Sequence, residues 1–479
     1  MRALQPPTVG AIVIHITAPL LASSLFMAAA MTAQADVRMP EPANESAPPP
    51  QSQAPSLPAQ PAPGPPEPAA APSAAARKGE RLAEQHLFGD WGGWRTSLWE
   101  RGFEPKLLLI SDPYGNSRGG LEQGFSTYSM LSADLKVDTG RALSLPGGEI
   151  QMGFSVNFGT QLSQQIVGNT FPIQSSDVAP PGPRLTTLSY THSLLDDTIS
   201  LRIGRLSIDS LYGEEFAGSS YFRQFTSVAF NAIPFAIFYN APGALGYPAT
   251  TWGARVRYAP RGEVYAMAGV YNADPDVGLA ARHGLDFSLQ GPAFAIGEVG
   301  WLRNQGPGAS GLRGNLKLGG FMLGGAVTAY DGGERSGRHG FYVVADQAIH
   351  RLGSGGIRQL GWFGSLVAAP DEAVSPMPLF FSTGLVVNGP FARRPDDFLA
   401  LGIAYGGYSA ALRDQQDRQA WLDASIRPQV SELTLELSYG LQLRPGLILQ
   451  PGAQLVIRPG GSPQTPNALA LGLNAVVSF

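Results

Sequence analysis

From Phe103 onward, apolar and polar residues alternate along the chain with a period of two. The clearest run is 433–444, LTLELSYGLQLR, in which every odd position is apolar and every even position is polar or glycine. Because successive side chains of a β-strand point to opposite faces, this segment presents one hydrocarbon face and one wet face. The same alternation predicts further strands, over 131–138, 150–158, 199–204, 252–258 and 469–479.

Two architectures use alternating strands: the soluble β-sandwich and the transmembrane barrel. Sandwich strands are typically shorter than these. Strands of ten or more residues with charges confined to one face favour an all-β, transmembrane antiparallel β-barrel. At roughly 22 to 24 residues for each strand with its share of connections, 103–479 predicts about 16 strands, with 18 as the alternative. A barrel of that size encloses an aqueous lumen.

The last strand closes on Phe479, a feature that is widespread in bacterial outer-membrane barrels. We therefore expect the outer-membrane barrel assembly machinery to be a partner through Phe479. Outer-membrane lipid is expected around the apolar outer face. A monomer and a homotrimer are both compatible with the sequence.

The first 35 residues have the features of a secretory signal peptide. A hydrophobic stretch follows Arg2 and ends at the small-residue cleavage site Ala33-Gln34-Ala35. The alternative is an uncleaved anchor helix, which Pro19 disfavours because proline interrupts the run. Segment 1–35 is thus expected to be removed on export.

Two more segments precede the barrel. Segment 36–76 consists largely of Pro, Ala, Ser and Gln, a composition that predicts a disordered, extended periplasmic spacer. Peptidoglycan is a conceivable partner for such a spacer. Segment 77–102 carries clustered tryptophans and ends on Gly102, which is where a helix C-cap is expected. It predicts a short amphipathic helical foot or plug.

Composition excludes several classes of function. The chain has 33 Lys and Arg against 37 Asp and Glu, a net charge of −4, which argues against a nucleic-acid partner. It has no cysteine, so disulfides, thiolate catalysis and cysteine-rich metal sites are excluded. The six histidines lack metal-binding spacing. The motif at 115–119, GNSRG, precedes a strand where a nucleophile elbow would need a helix. We expect no enzyme, no metal site and no cofactor.

Four stretches resemble the carbohydrate-selective porins of the OprB type: 87–95 (LFGDWGGWR), 115–120 (GNSRGG), 247–256 (YPATTWGARV) and 449–479. The resemblance implies a 16-stranded barrel in the outer membrane of a Gram-negative bacterium. It also implies that small sugars diffuse passively through a constricted, partly selective pore. The Pro/Ala-rich spacer departs from the family pattern.

A pore for neutral sugars needs paired hydrogen-bond donors and acceptors, because an excess of one charge selects ions instead. Strand alternation points ten charged residues of both signs inward, which suits this requirement: Asp134, Lys136, Arg202, Arg255, Arg257, Asp423, Arg427, Glu436, Arg444 and Arg458.

The connection from Ser210 to Pro248 is too long for a plain turn and is rich in aromatic residues. We expect it to fold into the lumen and narrow it. The constriction residues would then be Glu214, Glu215, Tyr221 and Arg223, opposite Arg255 and Arg257. The alternative is an extracellular cap that packs on itself.

Two other functions remain open at this point. A general or anion-preferring porin is favoured if arginine outnumbers acid at the constriction. A structural protein could instead tether the outer membrane to the cell wall through the spacer.

Overall fold

The computed structural model describes residues 85–177, 179–209, 216–305, 309–353 and 358–479. Within them, sixteen antiparallel strands form a closed barrel in which each strand pairs with its neighbours in sequence, and β1 pairs with β16. The prediction of about 16 strands is confirmed. The predicted signal peptide, the predicted spacer and the start of the predicted foot lie outside the described residues.

The strands are β1 (Phe103–Arg118), β2 (Gly124–Asp138), β3 (Gly148–Gly159), β4 (Gly182–Leu194), β5 (Ile199–Leu206), β6 (Thr251–Arg261), β7 (Val264–Asn272), β8 (Ala293–Trp301), β9 (Gly314–Thr328), β10 (Glu334–Arg351), β11 (Gln359–Ala368), β12 (Leu379–Asn388), β13 (Phe398–Gly407), β14 (Ser431–Arg444), β15 (Leu447–Ile457) and β16 (Ala468–Ser478).

The alternation in sequence becomes the two faces of the barrel wall. In β14 the outward Leu437 is 50% exposed, whereas the inward Glu436 is 1% exposed. Each of the six strand segments predicted from the sequence overlaps an observed strand, and Phe479 alone falls just beyond one. Its backbone N–H still donates to the Leu107 carbonyl oxygen at 3.0 Å.

Three of the ten residues predicted to face inward lie outside the strands, and a fourth is the last residue of one. Asp423 and Arg427 belong to the connection between β13 and β14, because β14 begins only at Ser431. Arg444 is the exposed last residue of β14. Arg458 follows β15 with a φ of 55° and donates to the Ser431 carbonyl oxygen. The inward prediction for Asp423, Arg427 and Arg458 is wrong, since alternation holds only while the chain stays extended.

The predicted foot contains a short helix, Trp94–Glu100, preceded by a 3-10 turn over Trp91–Gly93. The helix stops at Gly102, whose φ of 89° favours glycine and whose N–H donates to the Trp99 carbonyl oxygen. The foot packs on the last strand: the Leu87 N–H donates to the Ser478 carbonyl oxygen at 2.8 Å.

Four more short helices lie in connections: Thr139–Leu143, Val228–Asn231, Ala236–Asn240 and Ala410–Ala420. In the described parts of the chain, no helix has the length and apolar character needed to span a membrane.

The two rims of the barrel differ. The rim that holds the foot has mostly short turns, such as the one between β14 and β15. The opposite rim carries the long connections 160–181, 207–250, 273–292 and 408–430. Apart from the wall strands, the connections 160–181 and 207–250 supply most of the buried apolar residues inside the barrel. The lumen is therefore partly filled by the chain's own connections.

Candidate pore constriction

The described residues of the connection 207–250, which we call the lumen loop, cross the interior of the barrel. The connection joins β5 to β6, yet the backbone N–H groups of Thr226 and Ser227 donate to the Glu436 carboxylate at 2.7 and 2.9 Å. Glu436 belongs to β14, on the opposite side of the ring of strands. The prediction that this connection enters the lumen is confirmed, and the alternative of a cap packed on itself is wrong.

Two further carboxylates of the wall hold the lumen loop along its path. The Ala217 N–H donates to Glu298 of β8 at 2.7 Å, and the Ser220 N–H donates to Asp346 of β10 at 2.6 Å. Each of these carboxylates is under 5% exposed. A buried carboxylate is stable only when its oxygens accept hydrogen bonds, and bonds from backbone N–H groups to a carboxylate are among the stronger ones.

The wall itself offers these carboxylates no base at the directly paired positions. Glu298 lies between Met267 and Gly319, and Glu436 is paired with Gly402 on one side. The N–H groups of the lumen loop therefore supply the partner that no basic residue at the directly paired wall positions provides. Residues 224–250 contain no charged side chain, which suits their burial against this wall.

The connection 160–181, the second lumen loop, also folds inward. The N–H groups of Thr170 and Phe171 donate to Glu432 of β14 at 2.8 and 3.0 Å. A single turn of π-helix, Ser163–Val167, lies within it. The same device, a wall carboxylate that receives backbone N–H groups, therefore anchors both loops.

The second lumen loop is further held by Asp112 of β1, which accepts from the Ser176 N–H at 3.2 Å. Reasoning from sequence missed this loop. Its signal was present, because Asp177 is the only charged residue between Phe158 and Arg184. An exposed connection of that length would be expected to carry more charge.

Asp177 lies within the second lumen loop rather than in a spanning strand. Burial raises the pKa of its carboxyl group to about 7, although hydrogen bonds from Gln161 and Ser163 oppose the rise. The Gln161 side-chain amide donates to it at 2.5 Å. The loop therefore contains a carboxyl group that titrates near neutral pH.

Five predicted site residues lie together on the inner face of β2, β5 and β6: Asp134, Lys136, Arg202, Arg255 and Arg257. We call this the charged sector.

Arg202 lies near the centre of the charged sector. It is directly paired with Arg255 across β5 and β6. It donates to the Gln151 side-chain oxygen at 2.7 Å and to the Ser189 hydroxyl at 3.2 Å. Its guanidinium group is therefore held by neighbouring wall strands.

The other members of the charged sector also contact the wall. Lys136 lies 3.6 Å from Glu149, and Asp134 accepts from the Ser132 hydroxyl at 2.8 Å. The Arg257 guanidinium carbon lies 4.7 Å from the ring centre of Tyr265.

The remaining predicted site residues have different positions. Tyr221 is 6% exposed and packs against Phe363, with ring centres 6.4 Å apart. A Cβ atom at Gly361 would overlap its phenol oxygen, and burial raises the pKa of Tyr221 to about 12. Glu214 and Glu215 lie outside the described residues.

The prediction that Tyr221 and Glu436 face a solute needs correction. Both are buried, and Glu436 also accepts from the Ser438 hydroxyl at 2.6 Å. Their side chains hold the lumen loop against the wall. Arg223 differs, because it is exposed on the 3-10 turn Phe222–Gln224, with its guanidinium carbon 5.3 Å from the Phe222 ring centre.

A cavity of about 620 Å³ lies between the two lumen loops and the wall. Arg223 lines it, together with polar side chains of both loops: Gln164, Asn169 and Asn231. On the wall side it is lined by Gln450 and Asn474 and by aliphatic residues of β1, β2, β15 and β16: Leu108, Ile110, Met130, Ile448 and Val476. In the described residues, no cluster of three or more His, Cys, Asp or Glu is arranged to bind a metal ion.

Comparison with known proteins identifies related sequences. The family described as carbohydrate-selective porin, OprB family, matches residues 122–479. Porin B of Pseudomonas aeruginosa is 26% identical over 424 residues, which cover 82% of this chain and 91% of that protein. The putative porin QuiX of Acinetobacter baylyi is 23% identical over 427 residues, which cover 82% of this chain and 93% of that protein.

The fold also matches solved structures. The high-pH structure of OprB from Pseudomonas putida superposes with a TM-score of 0.76 at 22% identity, covering 83% of this chain and 100% of that one. The low-pH structure of the same protein gives a TM-score of 0.52 at 20% identity, covering 82% of this chain and 98% of that one.

Proposed function

Because this chain belongs to the carbohydrate-selective porin family of the OprB type, we propose that it passes small neutral sugars by passive diffusion across the outer membrane. The observation that carries the proposal is the lumen loop, which is anchored to Glu436 on the far wall and leaves a cavity beside it. An anchored loop narrows the lumen to a defined width, so that a permeating solute comes within contact of the residues around it.

The chemistry of the constriction suits sugars. Lys136, Arg202 and Arg257 are half-buried on the inner wall, and Arg223 is exposed on the loop. Together with neighbouring amides and hydroxyls, they offer donors and acceptors to hydroxyl groups. We propose that Lys136, Arg202, Arg223 and Arg257 contact the solute. Asp134 and Arg255 are buried in the wall, and we propose that they support the exposed charges beside them. Tyr221 and Glu436 position the loop. A role for Glu214 and Glu215 in the constriction stays a prediction.

An anion-preferring pore is the second candidate, and the direct pairing of Arg202 with Arg255 favours it. Two guanidinium groups side by side attract anions more than they attract neutral solutes. The reversal potential in a salt gradient distinguishes the two candidates.

We further propose a periplasmic position for segment 36–76 and recognition of Phe479 by the barrel assembly machinery. Contact of the spacer with peptidoglycan, and assembly as a monomer or homotrimer, stay predictions. The composition of the spacer supports its extended conformation. That the chain is not an enzyme also stays a prediction.

The test is single-channel conductance of the refolded chain in a planar bilayer, with glucose and maltose titrated against the ion current. A sugar-selective pore shows saturable block, because a bound sugar occupies the constriction. Conductance that no sugar changes, with strong anion selectivity, would overturn the proposal in favour of the second candidate.

A further inference from the structure

Four aliphatic side chains form a row across the inner wall of the barrel. Ile448 is paired with Val476, Val476 with Ile110, and Ile110 with Met130, so one residue from each of β15, β16, β1 and β2 contributes. Directly paired residues of antiparallel strands point to the same face. We call Ile448, Val476, Ile110 and Met130 the aliphatic row.

The aliphatic row faces the lumen. Its members occupy the same face as Asp112 of β1 and Asn474 of β16, which contact each other and the second lumen loop. All four line the cavity described above.

Other inward apolar residues of the wall, such as Phe363 and Phe380, are buried against the lumen loops, whereas three members of the row are only half-buried. An inner face that lines water is usually polar in barrels of this kind. Here the alternation breaks at apolar steps in each of the four strands: Leu107–Ile110, Met130–Leu131, Leu447–Leu449 and Ala475–Val477. The register then aligns these four separate breaks into one continuous patch.

Internal packing accounts for Met130, which is 3% exposed, but not for the other three members of the row. Ile110, Val476 and Ile448 are half-buried, so part of each side chain remains accessible. The two buried apolar clusters formed by the described residues include no member of the row. Exposed aliphatic surface in a lumen costs free energy unless something apolar covers it.

The two lumen loops bring polar groups to the same cavity, among aromatic ones such as Phe235. Gln164 and Asn169 of the second lumen loop and Arg223 and Asn231 of the lumen loop line it. The cavity therefore offers apolar surface together with amide and guanidinium groups, which suits a ligand with one apolar and one hydroxyl-bearing part.

We propose that the aliphatic row is a binding subsite for glycosides that carry an aryl or alkyl group, with that group on the row and the sugar hydroxyls toward the loops. The inference rests on the proposed function, since it specifies the class of sugar that the channel binds best. The subsite is formed by the paired residues Ile448, Val476, Ile110 and Met130. None of them belongs to the charged sector.

The experiment compares glucose with phenyl β-glucoside as blockers of single-channel current through the full chain. Burying part of a phenyl ring on the row is expected to tighten block about 10-fold relative to glucose. The double variant Ile110→Thr with Val476→Thr places hydroxyl groups in the row, and we expect it to weaken phenyl β-glucoside block enough to remove most of this 10-fold difference.

The matched control is Ile110→Val, which nearly keeps the shape of the threonine variant but stays apolar, so phenyl β-glucoside block should weaken about 3-fold or less. Equal block by glucose and phenyl β-glucoside in the native chain would overturn the inference, as would equal effects of the threonine double variant and Ile110→Val. Failure of the proposed function gives a different result, in which glucose itself neither blocks nor permeates.

Discussion

Two sectors of the inner wall carry similar residue types and serve different purposes. The anchoring sector consists of the carboxylates of Asp112, Glu298, Asp346, Glu432 and Glu436, which accept backbone N–H groups from the two lumen loops. The charged sector mixes acid and base on β2, β5 and β6, where Arg202 bonds to wall side chains.

The difference comes from the partners that the strand register supplies. In the charged sector, Lys136 finds Glu149, and Arg202 finds Gln151 and Ser189. In the anchoring sector, Glu298 lies between Met267 and Gly319 and draws its donors from a loop. Inward charge alone thus does not identify a pore-lining residue. A lone inward carboxylate opposite a charge-free connection indicates an anchor.

The largest effect is expected from removing an anchor. Glu436→Ala leaves the Thr226 and Ser227 N–H groups without their acceptor, at a cost of about 3 kcal/mol. We expect the lumen loop to detach locally and single-channel conductance to rise at least about 2-fold. Asp331→Asn, at an exposed turn, is the control and should conduct as the native chain does. Unchanged conductance in Glu436→Ala would show that the loop does not depend on this anchor.

The charged sector predicts a change in ion preference instead of pore width. Replacing Arg202 and Arg257 by Gln removes two positive charges and keeps hydrogen-bonding capacity, so we expect selectivity to shift toward cations with conductance within about 2-fold of native. The reversal potential across a tenfold salt gradient measures this. Arg335→Gln, which removes a charge at the exposed rim, is the control. A reversal potential equal to native in the double variant would place the selectivity elsewhere.

The smallest effect concerns pH and the second lumen loop. The pKa of Asp177 is about 7 in the folded chain against an ordinary value of 3.8, so the folded state binds the proton more tightly. Its contribution to stability is therefore present at low pH and is lost as pH rises from about 4 through 7. Amide protection of 161–177, corrected for intrinsic exchange, should fall between pH 5 and pH 8. In Asp177→Asn the fall should be smaller, since the carboxylates of Glu432 and Asp112 also hold this loop. A fall of native size would assign the pH dependence to another group.

The sequence predicted the barrel because a period of two needs no knowledge of tertiary contacts. It placed Arg202, Arg255 and Glu436 on the inner face correctly, since each lies inside a strand. It could not tell that Glu436 is covered while Arg257 is only half-buried, because coverage depends on where the loop runs. Asp423 and Arg427 were misplaced for a local reason, as strand β14 begins after them.

The aliphatic row is a second feature that could not be predicted from the sequence. Each pair of adjacent apolar residues, such as Met130–Leu131, is only a small irregularity in the alternation of its own strand. The row exists only once the register pairs Ile110 with Met130 and Val476. Register depends on the closed barrel as a whole, which one strand's sequence does not encode.

The central claim is that an anchored lumen loop makes a sugar-binding constriction. Its most direct test is glucose block of single-channel current in the native chain and in Glu436→Ala under the same conditions. We predict saturable block in the native channel and block at least about 10-fold weaker in the variant, since the loop no longer holds the cavity closed around the sugar. Glucose block of equal affinity in both channels would contradict the account.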